Sequence, residues 1–257
     1  MTADDPVVDG LTLVVPARDE EARLPLTLAA ASRALPGLAR RAEIVVVDDG
    51  SGDATARVAA EFDASVPVRV VRLPENRGKG AAVHAGIEAA TQPFVAFTDA
   101  DCPYDLEALR PMLASLAARR ADVAIGARDL VESGVSRGYG ALRRVSGQAL
   151  SLLTAAVLGL PFRDSQCGLK CFRAETARAL FSVRTIDRFG FDFEILVAAL
   201  DNGLVVERFP VELSHHDESR VDVLRDGSQM FRQLWQVRRR LRRGGYRLPD
   251  GGGPRPA

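Results

Sequence analysis

The stretch EIVVVDDGSGDATARVAAEF, from Glu43 to Phe62, contains the unit that decides the fold. Glu43–Val47 is dominated by β-branched residues and is predicted to form a buried strand. Asp53–Phe62 is predicted to form a helix, and the residues between them include glycine and aspartate, which favour a turn. A strand followed at once by a helix is the repeating unit of a parallel sheet.

The same alternation continues through the first half of the chain. Further strands are predicted at Leu11–Val15, Val68–Leu73, Phe94–Thr98 and Asp122–Ile125. Further helices are predicted at Glu20–Ala34, Gly80–Ala90 and Leu106–Ala118. Continuous apolar strands that alternate with helices indicate an α/β fold, with a mainly parallel central sheet covered by helices on both faces.

The second half of the chain has a less regular pattern. Arg128–Gly140 is a Gly- and Ser-containing loop that is long enough to be functional. The remaining predicted elements are a helix at Ala141–Leu158, an extended segment at Lys170–Arg173, a helix at Phe191–Leu200, a strand at Leu204–Leu213 and an amphipathic helix at Met230–Arg243.

Composition limits the classes of protein to consider. The chain has 257 residues, of which 47% are hydrophobic, so it can bury a large core and is not disordered. Its 34 basic and 34 acidic residues cancel, so we expect no nucleic-acid partner. The charge is unevenly placed: residues 229–257 hold eight arginines and one acid, a net +7 on a body of −7. That asymmetry indicates a local anionic partner.

The sequence predicts neither a disulfide-rich nor a membrane-spanning protein. Cys102, Cys167 and Cys171 have neither redox-pair nor zinc-site spacing, so we expect reduced thiols. No apolar run reaches the ~18 residues that a membrane span requires. The first residues lack the basic and apolar regions of a signal peptide. We therefore expect a cytoplasmic protein, with attachment to the surface of the cytoplasmic membrane left open.

Ligands of open α/β sheets bind beyond the carboxyl ends of the strands, so the residues that follow each strand carry the most information. Those residues lie in the segments VVPARDEE, VVVDDGSGDAT, PENRGKG and TDADCPYD. They contain neither G-x-G-x-x-G after the first strand nor G-x-x-x-x-G-K-[ST], which excludes a Rossmann dehydrogenase and a P-loop NTPase. Acidic residues dominate instead.

Asp99 and Asp101 form a candidate metal site. They lie two residues apart at the end of an apolar strand, where an extended backbone would point both carboxylates to the same side. Two carboxylates can hold Mg²⁺ or Mn²⁺ and leave positions open for diphosphate oxygens. Aspartates in this spacing also occur in turns and helix caps, and Asp105 before Leu106 is such a candidate cap.

Taken together, the four segments resemble the nucleotide-sugar half of the GT-A fold, family 2 glycosyltransferases. IGAR (125–128), DSQCGLK (164–170), RFGFDFEIL (188–196) and ESR (218–220) resemble the dolichyl-phosphate β-glucosyltransferases and, more loosely, the dolichyl-phosphate mannose synthases. The resemblance implies a tail at 1–10 and a GT-A domain at 11–228, divided into a nucleotide-sugar half (11–127) and an acceptor half (128–228). A basic amphipathic helix (229–243) and a flexible tail (244–257) are expected to follow.

The resemblance also implies roles for individual residues. Nucleotide-sugar binding is expected from Pro16, Ala17, Arg18, Glu20, Val47, Asp49, Lys79, Asp99, Ala100 and Asp101, with Asp99 and Asp101 as the metal ligands. The expected catalytic residues are Asp192, Arg128, Arg143 and Arg144. Acceptor phosphate is expected to contact Lys170 and Arg220. For Lys79, a plain tight turn with a solvated lysine remains an alternative.

The implied reaction is metal-dependent transfer of a hexose, with inversion, from UDP-glucose to a polyprenyl or dolichyl phosphate. A phosphate acceptor is already ionised at pH 7, whereas a hydroxyl acceptor needs a base, for which Asp192 is the best candidate. Asp192 can also be read as a cap at a helix start. The alternatives are a soluble transferase acting on a small hydroxyl acceptor, a GDP-mannose-dependent enzyme, a nucleotidyltransferase and a non-enzymatic nucleotide-sugar sensor.

Three smaller features complete the sequence analysis. Lys79 and Lys170 are the only lysines among the 34 basic residues, which marks them as positions where a compact ammonium is needed. The 229–243 helix places apolar residues on one face and arginines on the other, which favours an anionic membrane surface, with packing on the core as the alternative. The histidines His84, His215 and His216 are ambiguous, and the adjacent pair His215 and His216, which matches no metal motif, is expected at the surface.

Overall fold

The structure is a computed structural model that describes residues 5–101, 104–131, 151–212 and 223–249, with only the backbone for 223–228. Over these residues, no helix is both long enough and apolar enough to cross a bilayer. Arg143, Arg144, Arg220, His215, His216 and Cys102, which the sequence analysis named, lie outside this part of the chain.

Within the described part of the chain, seven strands form a single sheet with the order β3-β2-β1-β4-β6-β5-β7. The strands are β1 (Val8–Ala17), β2 (Ala39–Asp48), β3 (Val68–Arg72), β4 (Phe94–Phe97), β5 (Val123–Ala127), β6 (Lys170–Arg173) and β7 (Val206–Pro210). β6 runs antiparallel to both of its neighbours, β4 and β5, and the other pairs are parallel. The mainly parallel sheet predicted from the sequence is therefore present.

Helices cover both faces of this sheet. They are α1 (Leu24–Leu38), α2 (Thr55–Ala60), α3 (Lys79–Ala89), α4 (Leu109–Ala117), the described part of α5 (151–158), α6 (Ala174–Ser182), α7 (Phe191–Asp201) and α8 (Val223–Leu241). Short 3₁₀ turns at Leu106–Ala108 and Arg128–Leu130 precede α4 and follow β5.

Alternating side chains of the strands divide the interior into two cores. In β2, Val45 and Val47 pack with α3, α6, α7 and α8, whereas Ile44 and Val46 pack with α1 and α4 on the other face. This division follows from the two-residue period of a strand, which sends successive side chains to opposite faces. Because both faces are covered, the central strands carry continuous apolar runs, such as Leu13–Val15 in β1 and Ile44–Val47 in β2.

The structure departs from the predicted elements in two places. The helix α6 was not predicted, although Ala177, Leu180 and Phe181 have helical spacing and are buried. The segment expected to be a flexible tail begins with ordered residues: Tyr246 is fully buried and donates a hydrogen bond to Glu194. α8 is correspondingly part of the folded body, since Leu234 and Val237 of α8 are fully buried in the core.

Candidate functional site

A cleft of about 460 Å³ opens at the carboxyl ends of the parallel strands. The loops after β1, β2, β3 and β4 form most of its wall, and a loop before α7 closes one side. The lining residues are Pro16, Ala17, Arg18, Asp19, Glu20, Arg23, Asp49, Asn76, Gly78, Lys79, Ala82, Asp99, Ala100, Asp101, Arg188 and Phe189. This position is where ligands of open α/β sheets bind.

Nine of the ten residues expected to bind a nucleotide sugar line this cleft, and Val47 is the exception. Val47 is fully buried and faces α3, where a Cβ on Gly86 would lie 3.1 Å from Cγ2 of Val47. Its side chain therefore belongs to the core, and we no longer assign it to ligand binding. The remaining nine residues are brought together from four separate loops.

Asp49 organises the loop that follows β3. Its carboxylate accepts hydrogen bonds of 2.8 Å from the backbone N–H groups of both Arg77 and Gly78. Gly78 has a φ of +107°, which glycine adopts readily, and a Cβ there would lie 2.7 Å from the carbonyl oxygen of Asp187. Both the positive φ and the close approach of Asp187 explain the first glycine of NRGKG, Gly78. Asp49 thus shapes the cleft wall as well as lining it.

Lys79 is the first residue of α3 and forms an ion pair with Asp99. Burial alone would lower the pKa of the Lys79 ammonium, but the nearby carboxylates of Asp99 and Asp192 outweigh it and raise the pKa above its usual value. Lys79 is therefore a permanent positive charge at a helix N-terminus within the cleft, an arrangement that attracts phosphate groups. The alternative of a solvated lysine in a plain turn does not fit this ion pair.

Asp101 lies near Asp99 in the cleft, but its negative charge is less well balanced by nearby positive charge. The nearest guanidinium nitrogen of Arg23 is 3.8 Å from its carboxylate, and Arg23 also binds Glu20. Burial and the negative charge of Asp99 raise the pKa of Asp101. The two carboxylates therefore repel each other across a partly desolvated gap, and a divalent cation bound there would relieve that repulsion. This donor set fits Mg²⁺ or Mn²⁺.

The backbone at this position differs from the predicted geometry. β4 ends at Phe97, and Ala100 and Asp101 lie in a turn, so no extended strand directs the two carboxylates. Within the described residues, no group of three or more histidine, cysteine, aspartate or glutamate side chains could hold a metal. A cation at Asp99 and Asp101 would accordingly take its other ligands from water or from the bound diphosphate.

The DSQCGLK segment packs directly behind Asp99. A Cβ on Gly168 would lie only 2.0 Å from Oδ2 of Asp99, so any larger residue here would displace the Asp99 carboxylate. The backbone N–H of Gly168 donates to the hydroxyl of Tyr104 at 3.2 Å. The close approach links the second half of the chain to the carboxylate pair of the first half.

Lys170 is buried instead of facing an acceptor. Its ammonium donates to Oδ1 of Asp192 at 2.5 Å and to the carbonyl oxygen of Cys167 at 2.7 Å, and its side chain is 1% exposed. The ring centroid of Phe97 lies 5.5 Å from its Nζ atom. We therefore withdraw the expected contact between Lys170 and acceptor phosphate, because the ammonium has no route to a ligand in the cleft.

Arg128 forms a bidentate salt bridge with Asp164, with 2.9 Å between Nε and Oδ2 and 2.7 Å between Nη2 and Oδ1. Burial alone would raise the pKa of Asp164, but the hydrogen bonds and charge of Arg128 hold it below its usual range. Fork-to-fork pairs of this kind fix the plane of a guanidinium. Arg128 keeps about a third of its side chain exposed and so retains a face for an anion.

Seven cleft residues were not among the predicted site residues: Asp19, Arg23, Asn76, Gly78, Ala82, Arg188 and Phe189. Asp19, Asn76 and Gly78 belong to the strand-end segments quoted above, so inspection of whole strand ends would have included them. Arg23 and Ala82 lie in segments that were predicted as helices. Arg188 and Phe189 precede the FDFE helix, where only Asp192 was considered. His84, which the sequence left ambiguous, is half-buried, and its Nδ1 atom lies 3.1 Å from Nη2 of Arg184.

A model of the family described as "Glycosyl transferase family 2" matches residues 12–182. This match includes all cleft-lining residues except Arg188 and Phe189, and most of the sheet. The chain belongs to glycosyl transferase family 2. It is a glycosyltransferase, as the sequence analysis predicted.

Named relatives cover nearly the whole chain. A dolichyl-phosphate beta-glucosyltransferase of Drosophila melanogaster is 33% identical over 95% of this chain and 79% of the relative. The human protein of the same name is 32% identical over 93% of this chain and 78% of the relative. The predicted resemblance is confirmed by these family members.

Solved structures confirm the GT-A-like fold. Glucosyl-3-phosphoglycerate synthase from Mycobacterium tuberculosis, in complex with UDP, superposes with a TM-score of 0.66 at 22% identity, covering 95% of this chain and 82% of that one. The same synthase with Mn²⁺, UDP and glucosyl-3-phosphoglycerate gives a TM-score of 0.65 at 22% identity, with the same coverage. The family 2 glycosyltransferase described here therefore has the predicted fold.

Proposed function

We propose that this family 2 glycosyltransferase transfers glucose from UDP-glucose to a polyprenyl phosphate of the dolichyl type, with inversion at the anomeric carbon. The names of the relatives support this acceptor, since the two reported above are dolichyl-phosphate glucosyltransferases. The complexes of structural neighbours with UDP support the donor nucleotide. In the proposed reaction the acceptor phosphate oxygen forms a bond to the anomeric carbon, and the bond to the UDP oxygen breaks.

The observation that carries the choice of acceptor is the state of Asp192. Its side chain is 4% exposed and accepts the hydrogen bond from the buried Lys170. A general base must reach the acceptor proton, and the Asp192 carboxylate is buried and already bonded to the Lys170 ammonium. A phosphate acceptor needs no proton removed at pH 7. This arrangement therefore favours a phosphate acceptor over a hydroxyl acceptor.

The departing diphosphate needs positive charge, and the cleft offers a place for it. When bound at Asp99 and Asp101, Mg²⁺ or Mn²⁺ would neutralise the charge that develops on the leaving group. Lys79 supplies a fixed ammonium beside the same carboxylates. We propose that Pro16, Ala17, Arg18, Glu20 and Asp49 form the nucleoside end of the site, and that Ala100 lies between the metal ligands.

We keep Arg128 as a phosphate-facing residue of the acceptor side. Asp164 fixes the orientation of the Arg128 guanidinium. Because this charge is already in place, little reorganisation is needed when a ligand binds. The roles expected of Arg143, Arg144 and Arg220 also stay proposals. Lys170 is reassigned as the buried partner of Asp192.

The outer face of α8 is the proposed contact with an anionic membrane on the cytoplasmic side. Phe231 and Trp235 are each about half exposed, with ring centroids 6.3 Å apart. Exposed arginines lie near them, Arg232 and Arg239 on the same helix and Arg242 and Arg243 in the turn that follows it. Exposed aromatic rings ringed by arginines match the interfacial zone of a membrane that carries anionic lipid.

A transfer assay with two donors and two acceptors tests the proposal. UDP-glucose and GDP-mannose are each offered with Mn²⁺ to detergent-dispersed polyprenyl phosphate and to phosphoglyceric acid. We expect product only from UDP-glucose with polyprenyl phosphate. Product from phosphoglyceric acid alone would overturn the lipid acceptor, and product from GDP-mannose alone would overturn the donor.

Asp192→Asn tests the mechanism in the same assay. The asparagine keeps an oxygen for the Lys170 hydrogen bond but cannot accept a proton as a base. With a phosphate acceptor we expect turnover to stay within about tenfold, whereas loss of a required base would lower it ~10²–10⁴-fold. A loss of that size with verified polyprenyl phosphate product in the wild type would contradict the base-free mechanism.

A further inference from the structure

The loop from Thr185 to Gly190 forms the side of the cleft that belongs to the second half of the chain. Its tip, Arg188 and Phe189, is exposed and lines the cleft, and 43% of the accessible surface of Phe189 faces solvent. Exposed large apolar residues beside a charged group in a cleft are candidates for ligand contact.

Both ends of this loop are fixed. The carboxylate of Glu194 accepts hydrogen bonds from the backbone N–H groups of Thr185 and Ile186, at 3.0 and 2.8 Å. The carbonyl oxygen of Asp187 accepts a hydrogen bond from Ala81 at 3.1 Å. At the other end, the N–H of Gly190 donates to Gln233 at 3.1 Å. An exposed tip on an immobile base is preorganised for binding.

Arg188 differs from the other cationic residues of the cleft. Arg18 pairs with Asp19, Arg23 with Glu20 and Lys79 with Asp99, so three of the four already have an acidic partner. Arg188 has no acidic partner within the part of the chain that the structure describes. Its stem is directed by Gly78, whose Cβ would lie 2.8 Å from Cγ of Arg188. The guanidinium is thus available to an anion.

The loop is also the part of the cleft wall that is bonded to α8. Gln233 binds Gly190, and Gln236 donates to the hydroxyl of Thr185 at 3.3 Å. The opposite face of α8 carries Phe231 and Trp235, the proposed membrane contact. The loop therefore joins the cleft to the helix that carries the proposed membrane contact.

We infer that Arg188 and Phe189 bind the head of the acceptor, with the guanidinium on the phosphate and the phenyl ring against the first isoprenoid unit. The inference rests on the proposed function and names residues for its acceptor. An arginine next to an exposed ring matches a ligand that is an anion joined directly to a hydrocarbon.

Kinetics of Arg188→Gln with varied polyprenyl phosphate and fixed UDP-glucose test the phosphate contact. We expect the acceptor KM to rise about 10- to 100-fold, the range for loss of one charged hydrogen bond. UDP binding, measured by calorimetry with Mn²⁺, should stay within about threefold. Arg41→Ala, an exposed arginine near the start of β2, is the matched control and should change neither value.

Phe189→Ala separates the contact with the isoprenoid chain of the acceptor from the contact with its phosphate. We expect a larger acceptor KM with geranyl phosphate and no change with methyl phosphate, which has no isoprenoid. An unchanged acceptor KM in Arg188→Gln, or an equal loss of UDP binding, would overturn the inference. If the wild type binds UDP but glucosylates no lipid phosphate, the proposed function itself fails, and that outcome is visible before any variant is made.

Discussion

Lys170 and Asp192 form a buried ion pair, with Nζ and Oδ1 separated by 2.5 Å and both side chains at most 4% exposed. The pair joins β6 to α7 and so links the DSQCGLK and FDFE segments. A compact ammonium fits between the carbonyl of Cys167 and the ring of Phe97, where a guanidinium would need a wider space. This explains a lysine in a chain whose other cations are nearly all arginine.

Removal of one partner of this pair is expected to destabilise the protein. Lys170→Met leaves the Asp192 charge buried without its main partner, and the free energy of unfolding should fall by about 3–5 kcal/mol. The double variant Lys170→Met/Asp192→Leu leaves no buried charge at this position and should recover most of the loss. Urea unfolding of wild type, both single variants and the double variant measures the effect. A single-variant loss below about 1 kcal/mol would contradict the assignment.

Asp101→Ala is expected to abolish Mn²⁺-dependent binding of UDP-glucose and to leave the fold intact. The pKa of Asp101 is raised by burial and by Asp99, so its carboxylate does not stabilise the folded protein without a cation. Calorimetry with and without Mn²⁺, together with thermal unfolding, measures both effects. Asp105→Ala is the control, since Asp105 caps the following 3₁₀ turn. Unchanged Mn²⁺-dependent turnover in Asp101→Ala would rule out this metal site.

Gly168→Ala is expected to weaken donor binding through Asp99. The new methyl group would lie 2.0 Å from Oδ2, so the carboxylate must move away from Lys79 and from the candidate metal position. We expect the donor KM to rise at least about tenfold, equivalent to about 1.4 kcal/mol. Gly37→Ala is the control, because its Cβ would meet only the end of the Arg110 side chain, at 3.4 Å. Equal donor KM values in the two variants would count against the role of Gly168.

The sequence predicted the parallel part of the sheet and most of the cleft because both depend on local patterns. Apolar runs locate the strands, and nine expected ligand residues lie directly after them. Val47 shows the limit of this reasoning. It lies near the carboxyl end of β2, beside the cleft, but strand alternation sends its side chain into the core beside α3.

Residues in the second half could not be assigned from local patterns alone. Lys170 and Asp192 are 22 residues apart and meet only because α7 packs against β6. Arg188 and Phe189 stay exposed because Glu194 and Gln233 hold the ends of their loop, and Gln233 comes from another helix. These are tertiary contacts, and no periodicity in the sequence encodes them. The missed helix α6 is different, since its apolar spacing was readable.

The hydrogen bonds of Glu43 predict a pH dependence of stability. Burial alone would raise its pKa, but the hydrogen bonds from Thr12, Thr91 and Arg69 hold it below the usual 4.5. The stabilisation is therefore fully present above about pH 4.5 and is lost as the pH falls through the lower folded value. Glu43→Gln should lose about 1–3 kcal/mol at pH 7, and the difference from wild type should shrink toward pH 3. Urea unfolding at pH 7 and pH 3 measures the difference in stability between the variant and the wild type. Glu61→Gln, at an exposed position, is the control. A stability difference that does not change with pH would contradict the prediction.

The last prediction concerns the outer face of α8. Truncation before this helix cannot test it, because Leu234, Val237 and Tyr246 are core residues whose loss would unfold the protein. Their inward position also shows that core packing and membrane contact are compatible, since they use opposite faces of one helix. Substitutions confined to Phe231 and Trp235 separate the two, because both side chains are about half exposed.

We predict that wild-type protein sediments with anionic phosphatidylserine vesicles at low salt and is released at high salt, because each basic residue near the surface adds ~1 kcal/mol of attraction that salt screens. Phe231→Ser/Trp235→Ser should sediment far less while its thermal unfolding stays close to that of the wild type. Leu26→Ser, at an equally apolar and 73% exposed position on α1, should sediment like the wild type. Neutral phosphatidylcholine vesicles should retain all three proteins poorly. Equal sedimentation of the double variant and the wild type would leave only the arginines as a membrane contact, and no sedimentation of the wild type would exclude this face altogether.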